Sequence, residues 1–152
     1  MPDHQAQQIL AFDFGLKRFG VAVGNTLIHS TRELLPVKAR DGIPDWTHIE
    51  QYVNEWRPKG FVVGLPLNMD GSESDMSLRV KKFGKRLKGR FNLPVAFMDE
   101  RLSSYEAKQQ VKERQGYTDF GAHSVDGAAA CLILTSWFNE HGTFDTQDAH
   151  HA

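Results

Sequence analysis

The stretch Ile9-Leu10-Ala11-Phe12-Asp13-Phe14-Gly15-Leu16-Lys17-Arg18-Phe19-Gly20-Val21-Ala22-Val23 decides the fold. Two short apolar runs flank a basic turn, which reads as a β-hairpin. Asp13 is the first polar residue after the first run. A weaker third strand is expected near Glu33 to Lys38, ahead of a turn at Arg40-Asp41-Gly42. Beyond it the pattern changes period. Trp46, Ile49, Val53 and Trp56 recur at helical steps, with Asp45 placed to cap and Pro58 to stop. Phe61-Val62-Val63-Gly64-Leu65 is continuously apolar, as a strand covered on both faces must be. Met76, Val80, Phe83 and Leu87 mark a second helix. Pro94 to Met98 mark another strand, closing on Asp99-Glu100-Arg101. Ser103 with Glu106 forms a capping box for a third helix. Ser124 can cap a last one running through Ala128 to Phe138. The expectation is an α/β protein with a five-stranded mixed sheet. Three strands form an antiparallel meander, two more run parallel, and helices cover both faces.

The rest of the chain sets bounds. Its 152 residues fit one domain, expected over 9–141, between a flexible arm at 1–8 and a disordered tail at 142–152 carrying His150 and His151. One cysteine, Cys131, excludes an intramolecular disulfide and fits a reducing cytosol. The longest small or apolar run, Gly127 to Leu134, falls short of the ~20 residues that span a bilayer. The amino end lacks the basic flank and apolar core of a secretory signal. A net charge of -1 excludes a general polycation but permits a basic face opposite an acidic site.

Three acids stand apart from their polar relatives. Asp13 and Glu100 each follow an apolar strand, and ligand sites in wound sheets form at carboxyl ends of strands. Asp126 falls in the first turn of an apolar helix. Three carboxylates brought together repel one another, and a divalent cation removes the conflict. Oxygen donors without a nearby cysteine favour Mg2+ or Mn2+ over zinc. Two such ions about 3.5–4 Å apart would clamp attacking water and leaving oxygen in phosphodiester cleavage. Each acid also has a plainer reading: Asp13 as a turn residue with Gly15, Glu100 as the partner of Arg101 or a lysine, Asp126 as an acid at the positive end of a helix. Spacing alone leaves both readings standing.

At these residues a family resemblance appears. Phe12 to Ala22 is similar to the first motif of the YqgF family of pre-16S ribosomal RNA nucleases and Holliday junction resolvases. Val63-Gly64-Leu65-Pro66-Leu67-Asn68-Met69-Asp70-Gly71-Ser72 resembles its second, Asp99-Glu100-Arg101-Leu102-Ser103-Ser104 its third, and Asp126-Gly127-Ala128-Ala129 its last. The likeness runs from about Leu10 to Phe138 in the family's order. It implies a ribonuclease H-like fold, a cytoplasmic protein and metal-dependent phosphodiester hydrolysis. It also implies an acidic triad of Asp13, Glu100 and Asp126 holding Mg2+ or Mn2+. The implied substrate is precursor ribosomal RNA, with branched DNA as the alternative and ribosomal particles as partners. His123-Ser124 stands where many members place a lysine, so that lysine's role does not carry over.

Seven basic residues and no acid lie between Arg79 and Arg90. Helical geometry turns Val80, Phe83 and Leu87 inward and gives Lys81, Lys85 and Lys88 a solvent stripe. A soluble face explains it; so does phosphate contact through Lys81, Lys85 and Arg86. Lys17 and Arg18 leave the strand that delivers Asp13 and can neutralise phosphates there. Asn68, Asp70 and Ser72 line a loop that can orient substrate, and Arg101 can pair with a carboxylate or a phosphate. Two rival functions remain. Asp13-x-Gly15 beside a hairpin also resembles the phosphate loop of actin-like kinases, although those need two such domains and no P-loop is present. A non-catalytic nucleic-acid binder would use the basic helix alone. No interface is legible, so a monomer or weak dimer is expected.

Overall fold

The computed structural model describes residues 7–100 and 125–141, with Val125 and Asp126 described in backbone only. The strands are β1 (Gln8–Asp13), β2 (Arg18–Asn25), β3 (Ser30–Arg40), β4 (Ile43–Pro44), β5 (Gly60–Leu65) and β6 (Val95–Asp99). The helices are α1 (Trp46–Trp56), α2 (Asp75–Phe91) and α3 (Val125–Glu140). Among the described residues the sheet runs β4-β3-β2-β1-β5-β6. The pairs β1–β2, β2–β3 and β3–β4 are antiparallel, and β1–β5 and β5–β6 are parallel. The meander and the two parallel strands are as the periodicity predicts. The sixth strand, β4, is an addition to the expected five. Asp41 and Gly42 both take positive φ, 50° and 80°, and so turn β3 back onto β4. The strand begins at Gln8, where the Thr26 N–H donates to the Gln7 carbonyl at 2.9 Å. The expected helix capped by Ser103 and the expected disordered tail lie outside the described residues.

Alternation along the strands divides the core into two. On one face Leu10, Phe12, Phe19, Val21, Phe61 and Val63 meet Ile49 and Tyr52 of α1 and Val80, Phe83 and Leu87 of α2. On the other, Ile9, Ala11, Ala22, Val62 and Met98 meet Ala130, Cys131, Ile133, Leu134, Trp137 and Phe138 of α3. Each large side chain so buried contributes on the order of 1.5–3 kcal/mol. Asp45 caps α1, its carboxylate accepting from the Thr47 and His48 N–H groups at 3.1 and 3.4 Å. The Tyr52 hydroxyl donates to the Leu35 carbonyl at 2.7 Å and ties α1 to β3. A capping box of Ser74 and Ser77 starts α2, and Asn92 ends it in the left-handed region.

A carboxylate pair at the edge of the sheet

Asp13 ends β1, and Glu100 follows the last residue of β6. Between them lies the end of β5, in register with both: Phe12 is level with Val63, and Leu65 with Asp99. Strand alternation puts Asp13, Gly64 and Glu100 on the α3 side of the sheet. The carboxyl groups of Glu100 and Asp13 are hydrogen-bonded across the intervening strand.

Gly64 makes that contact possible. A Cβ on Gly64 would stand 2.6 Å from Glu100 Oε1 and 2.5 Å from Ile133 Cδ1. The space a side chain would fill is therefore taken by the Glu100 carboxylate from one side and α3 from the other. Burial pushes Glu100 above the usual carboxylate range; the hydrogen bond with Asp13 opposes this and the charge of Asp99 adds to it. Two acidic side chains thus meet where burial disfavours the charge of Glu100. A hard divalent cation would relieve that conflict, and the all-oxygen donor set fits one.

Asp126 lies in the first turn of α3, the helix packed on this same face. Its side chain, Arg101 and His123 lie outside the described residues. Among the described residues no three potential metal ligands cluster, so the pair is the part of the expected triad brought together here. One acid that spacing did not single out is also on this face: the Glu33 carboxylate lies against the Gly127 backbone, next to Asp126. Glu33 sits in a polar strand, and nothing in its sequence neighbourhood marks it.

The expected substrate contacts separate into groups. Lys17 and Arg18 are exposed on the turn that leaves Asp13. Asn68, Asp70 and Ser72 bond one another after β5. The Asn68 amide donates to Ser72 Oγ at 3.0 Å, and the Ser72 hydroxyl donates to Asp70 Oδ1 at 2.6 Å. Gly71 closes that turn at φ 88°. The basic stretch is divided by its helix. Lys81 pairs with Glu73, and Lys85 is exposed. Arg86 instead joins Arg79 and Lys82 around a cavity on the opposite face of the sheet. Sequence reading placed Arg79 and Lys82 in the same basic stretch without singling them out; their helical spacing with Arg86 was the available signal.

Comparison with known proteins agrees with this architecture. The family model of RuvX, described as Holliday junction resolvase, matches residues 7–140. A protein of Actinobacillus succinogenes named "putative pre-16S rRNA nuclease" is 51% identical over 133 residues, covering 88% of this chain and 95% of its own. One of the same name from Marinobacter nauticus is 51% identical over 140 residues, covering 92% and 98%. Thermus thermophilus RuvC, solved in complex with a Holliday junction substrate, superposes with a TM-score of 0.60 at 16% identity, covering 90% of this chain and 97% of that one. That likeness is one of fold, the ribonuclease H-like fold expected. With a matching family model over nearly its whole described length and relatives at half identity, the chain belongs to the RuvX family, the family that its four YqgF-like motifs resemble.

Proposed function

We propose that this protein is a metal-dependent nuclease that hydrolyses phosphodiester bonds, acting in 5′-end maturation of precursor 16S ribosomal RNA. The observation that carries the reading is the Asp13–Glu100 pair at the carboxyl edge of the sheet, half-buried, with Glu100 held above the usual carboxylate range. The relatives' name supports the substrate. Asp13, Glu100 and Asp126 would hold Mg2+ or Mn2+ at a two-ion site, which when bound would supply a nucleophilic water at neutral pH and stabilise charge on the phosphate. Lys17 and Arg18, one turn from Asp13, would hold the flanking phosphates, and Arg86 with Lys81 and Lys85 would extend that contact along α2. Asn68, Asp70 and Ser72 would set the shape of the loop beside the site, and Arg101 would contact phosphate. No helix among the described residues is long and apolar enough to cross a membrane; the work we assign to the protein is cytoplasmic, on ribosomal particles, as a monomer or weak dimer.

A second reading, resolution of a four-way DNA junction, is favoured by the family model's description and would require a dimer with two sites. A manganese-dependent cleavage assay on precursor 16S RNA and on a four-way junction tests both. Wild type is expected to cut the RNA, and Asp13→Asn and Glu100→Gln are expected to lose cutting while still binding. Preference for the junction would reverse the order of the two readings, and unchanged cutting by both variants would overturn the site.

A further inference from the structure

Phe14 follows Asp13 directly, yet alternation sends its ring to the other face of the sheet, where it packs on Phe19 and Phe83 at 4.8 and 6.3 Å between centroids. There it helps line a cavity of about 200 Å³. Trp46 and Phe83 complete an aromatic floor, with their rings 5.7 Å apart. Arg79, Lys82 and Arg86, at successive turns of α2, form a cationic rim. Arg90 lies over the Trp46 ring, its guanidinium carbon 4.2 Å from the ring centroid. Among the described residues the Asp41 carboxylate is the one acid in the lining; it pairs with Arg79 at 3.5 Å. Among the described residues no carboxylate pairs with Lys82 or Arg86.

We propose that this cavity takes one unstacked nucleobase of a single-stranded nucleic acid, with the adjoining phosphates on Lys82 and Arg86. The proposal rests on the nucleic-acid substrate argued above and extends it to the far side of the sheet. Three features select the ligand. The volume lies below the roughly 300–1,000 Å³ of sites for drug-sized molecules and suits one flat heterocycle, not a base pair. Aromatic faces bind any base by stacking, while unpaired cations beside them hold the backbone. The strand that delivers Asp13 to the acid edge delivers Phe14 to the cavity, so a chain crossing that edge reaches both.

The test uses the full-length protein without divalent ions and reads Trp46 fluorescence and the affinity for a labelled hexauridylate. Hexauridylate is expected to quench wild type and to lose its quenching in Trp46→Leu. Binding is expected to weaken on the order of tenfold in Lys82→Ala with Arg86→Ala, and by less than about twofold in Lys59→Ala with Lys88→Ala, which removes the same charge elsewhere. An abasic hexamer is expected to bind about tenfold more weakly than hexauridylate, and AMP more weakly still. Far-UV circular dichroism confirms that each variant is folded. Equal losses in the two charge pairs, quenching that survives Trp46→Leu, an abasic hexamer that binds as well, or AMP binding as tightly as hexauridylate would each overturn the proposal. Cleavage that needs Asp13 while hexauridylate ignores the cavity variants would remove the pocket and leave the nuclease. Cavity binding with cleavage indifferent to Asp13 would do the reverse.

Discussion

The two faces of the sheet solve the same packing problem with opposite chemistry. The α3 face is built from small strand residues, Ala11, Ala22 and Gly64, against a helix whose residues from Ala130 to Phe138 are nearly all buried. Close approach follows, and what remains at its edge is a pair of acids. The face covered by α1 and α2 is built from rings, Phe12, Phe19, Phe61 and Phe83, against an amphipathic helix whose outer side is basic. Rings fill space less evenly than alanines, and a cavity rimmed by cations is left at its edge. One sheet edge thus offers an acidic surface on one side and a basic one on the other. That is the charge pattern expected of a protein that both cuts and holds a polyanion.

The largest effect should come from breaking the acidic side alone. Asp13→Asn keeps the side-chain shape but removes a charge that the proposed cation would need, so cleavage should fall on the order of 100-fold or more. Hexauridylate binding should stay within about twofold. Single-turnover cleavage beside fluorescence titration checks both, and parallel losses would mean that the two faces are not separate in function.

Gly64→Ala sharpens the same comparison through packing. The new methyl would meet Ile133 Cδ1 and Glu100 Oε1 at about the distances where real atoms do not sit. Stability should fall by roughly 1–3 kcal/mol, and cleavage should fall with it because the Glu100 carboxylate must move. Urea unfolding and the cleavage assay read the two effects. Full activity in Gly64→Ala would show that the Glu100 position is not set by this contact.

How much of this was legible in the sequence follows the length scale of each feature. Asp13 and Glu100 could be read because each breaks an apolar run at a strand end, a signal contained in five residues. The helices α1 and α2 could be read because their buried residues recur at one period. The strand β4 could not: two residues carry no period, and Pro44 weakens any strand pattern. Its signal was the Asp41-Gly42 turn, which reads as a hairpin only when a partner strand is seen. The cavity draws on Phe14, Trp46 and Phe83, three stretches whose meeting depends on how α1 lies against α2. The same packing divides the basic stretch, sending Arg79, Lys82 and Arg86 to the cavity while Lys81 turns to Glu73. Helical periodicity gives the stripes but not which of them faces a cleft.

A smaller effect separates the faces by pH. Glu100 carries a raised folded value, so the native state binds its proton more tightly than the unfolded chain does. Its contribution to stability is full below the ordinary carboxylate range and is lost as pH rises through the raised value. In the absence of divalent ions, Glu100→Gln should therefore melt above wild type near neutral pH, and the gap should close on acidification. Added Mg2+ should raise the wild-type melting temperature more than that of Glu100→Gln. Thermal melts at several pH values, with and without the ion, check the sign. A gap that widens in acid would contradict the burial argument.

The smallest effect is expected on the cationic side, away from its cavity. Lys81 and Glu73 form an ion pair with both side chains about 40% exposed, 43% and 40%. Water screens such a pair, and holding two long side chains together costs entropy, so Lys81→Ala should change stability by less than about 1 kcal/mol. Its effect on hexauridylate binding should be smaller than that of Lys82→Ala, because its charge is partly answered by Glu73, whereas Lys82 one residue on has no carboxylate partner among the described residues. Adjacent lysines on one helix, differing in partner and in the side they face, thus make the sharpest internal control. Equal losses from Lys81→Ala and Lys82→Ala would mean that the helix binds by overall charge and not through the cavity.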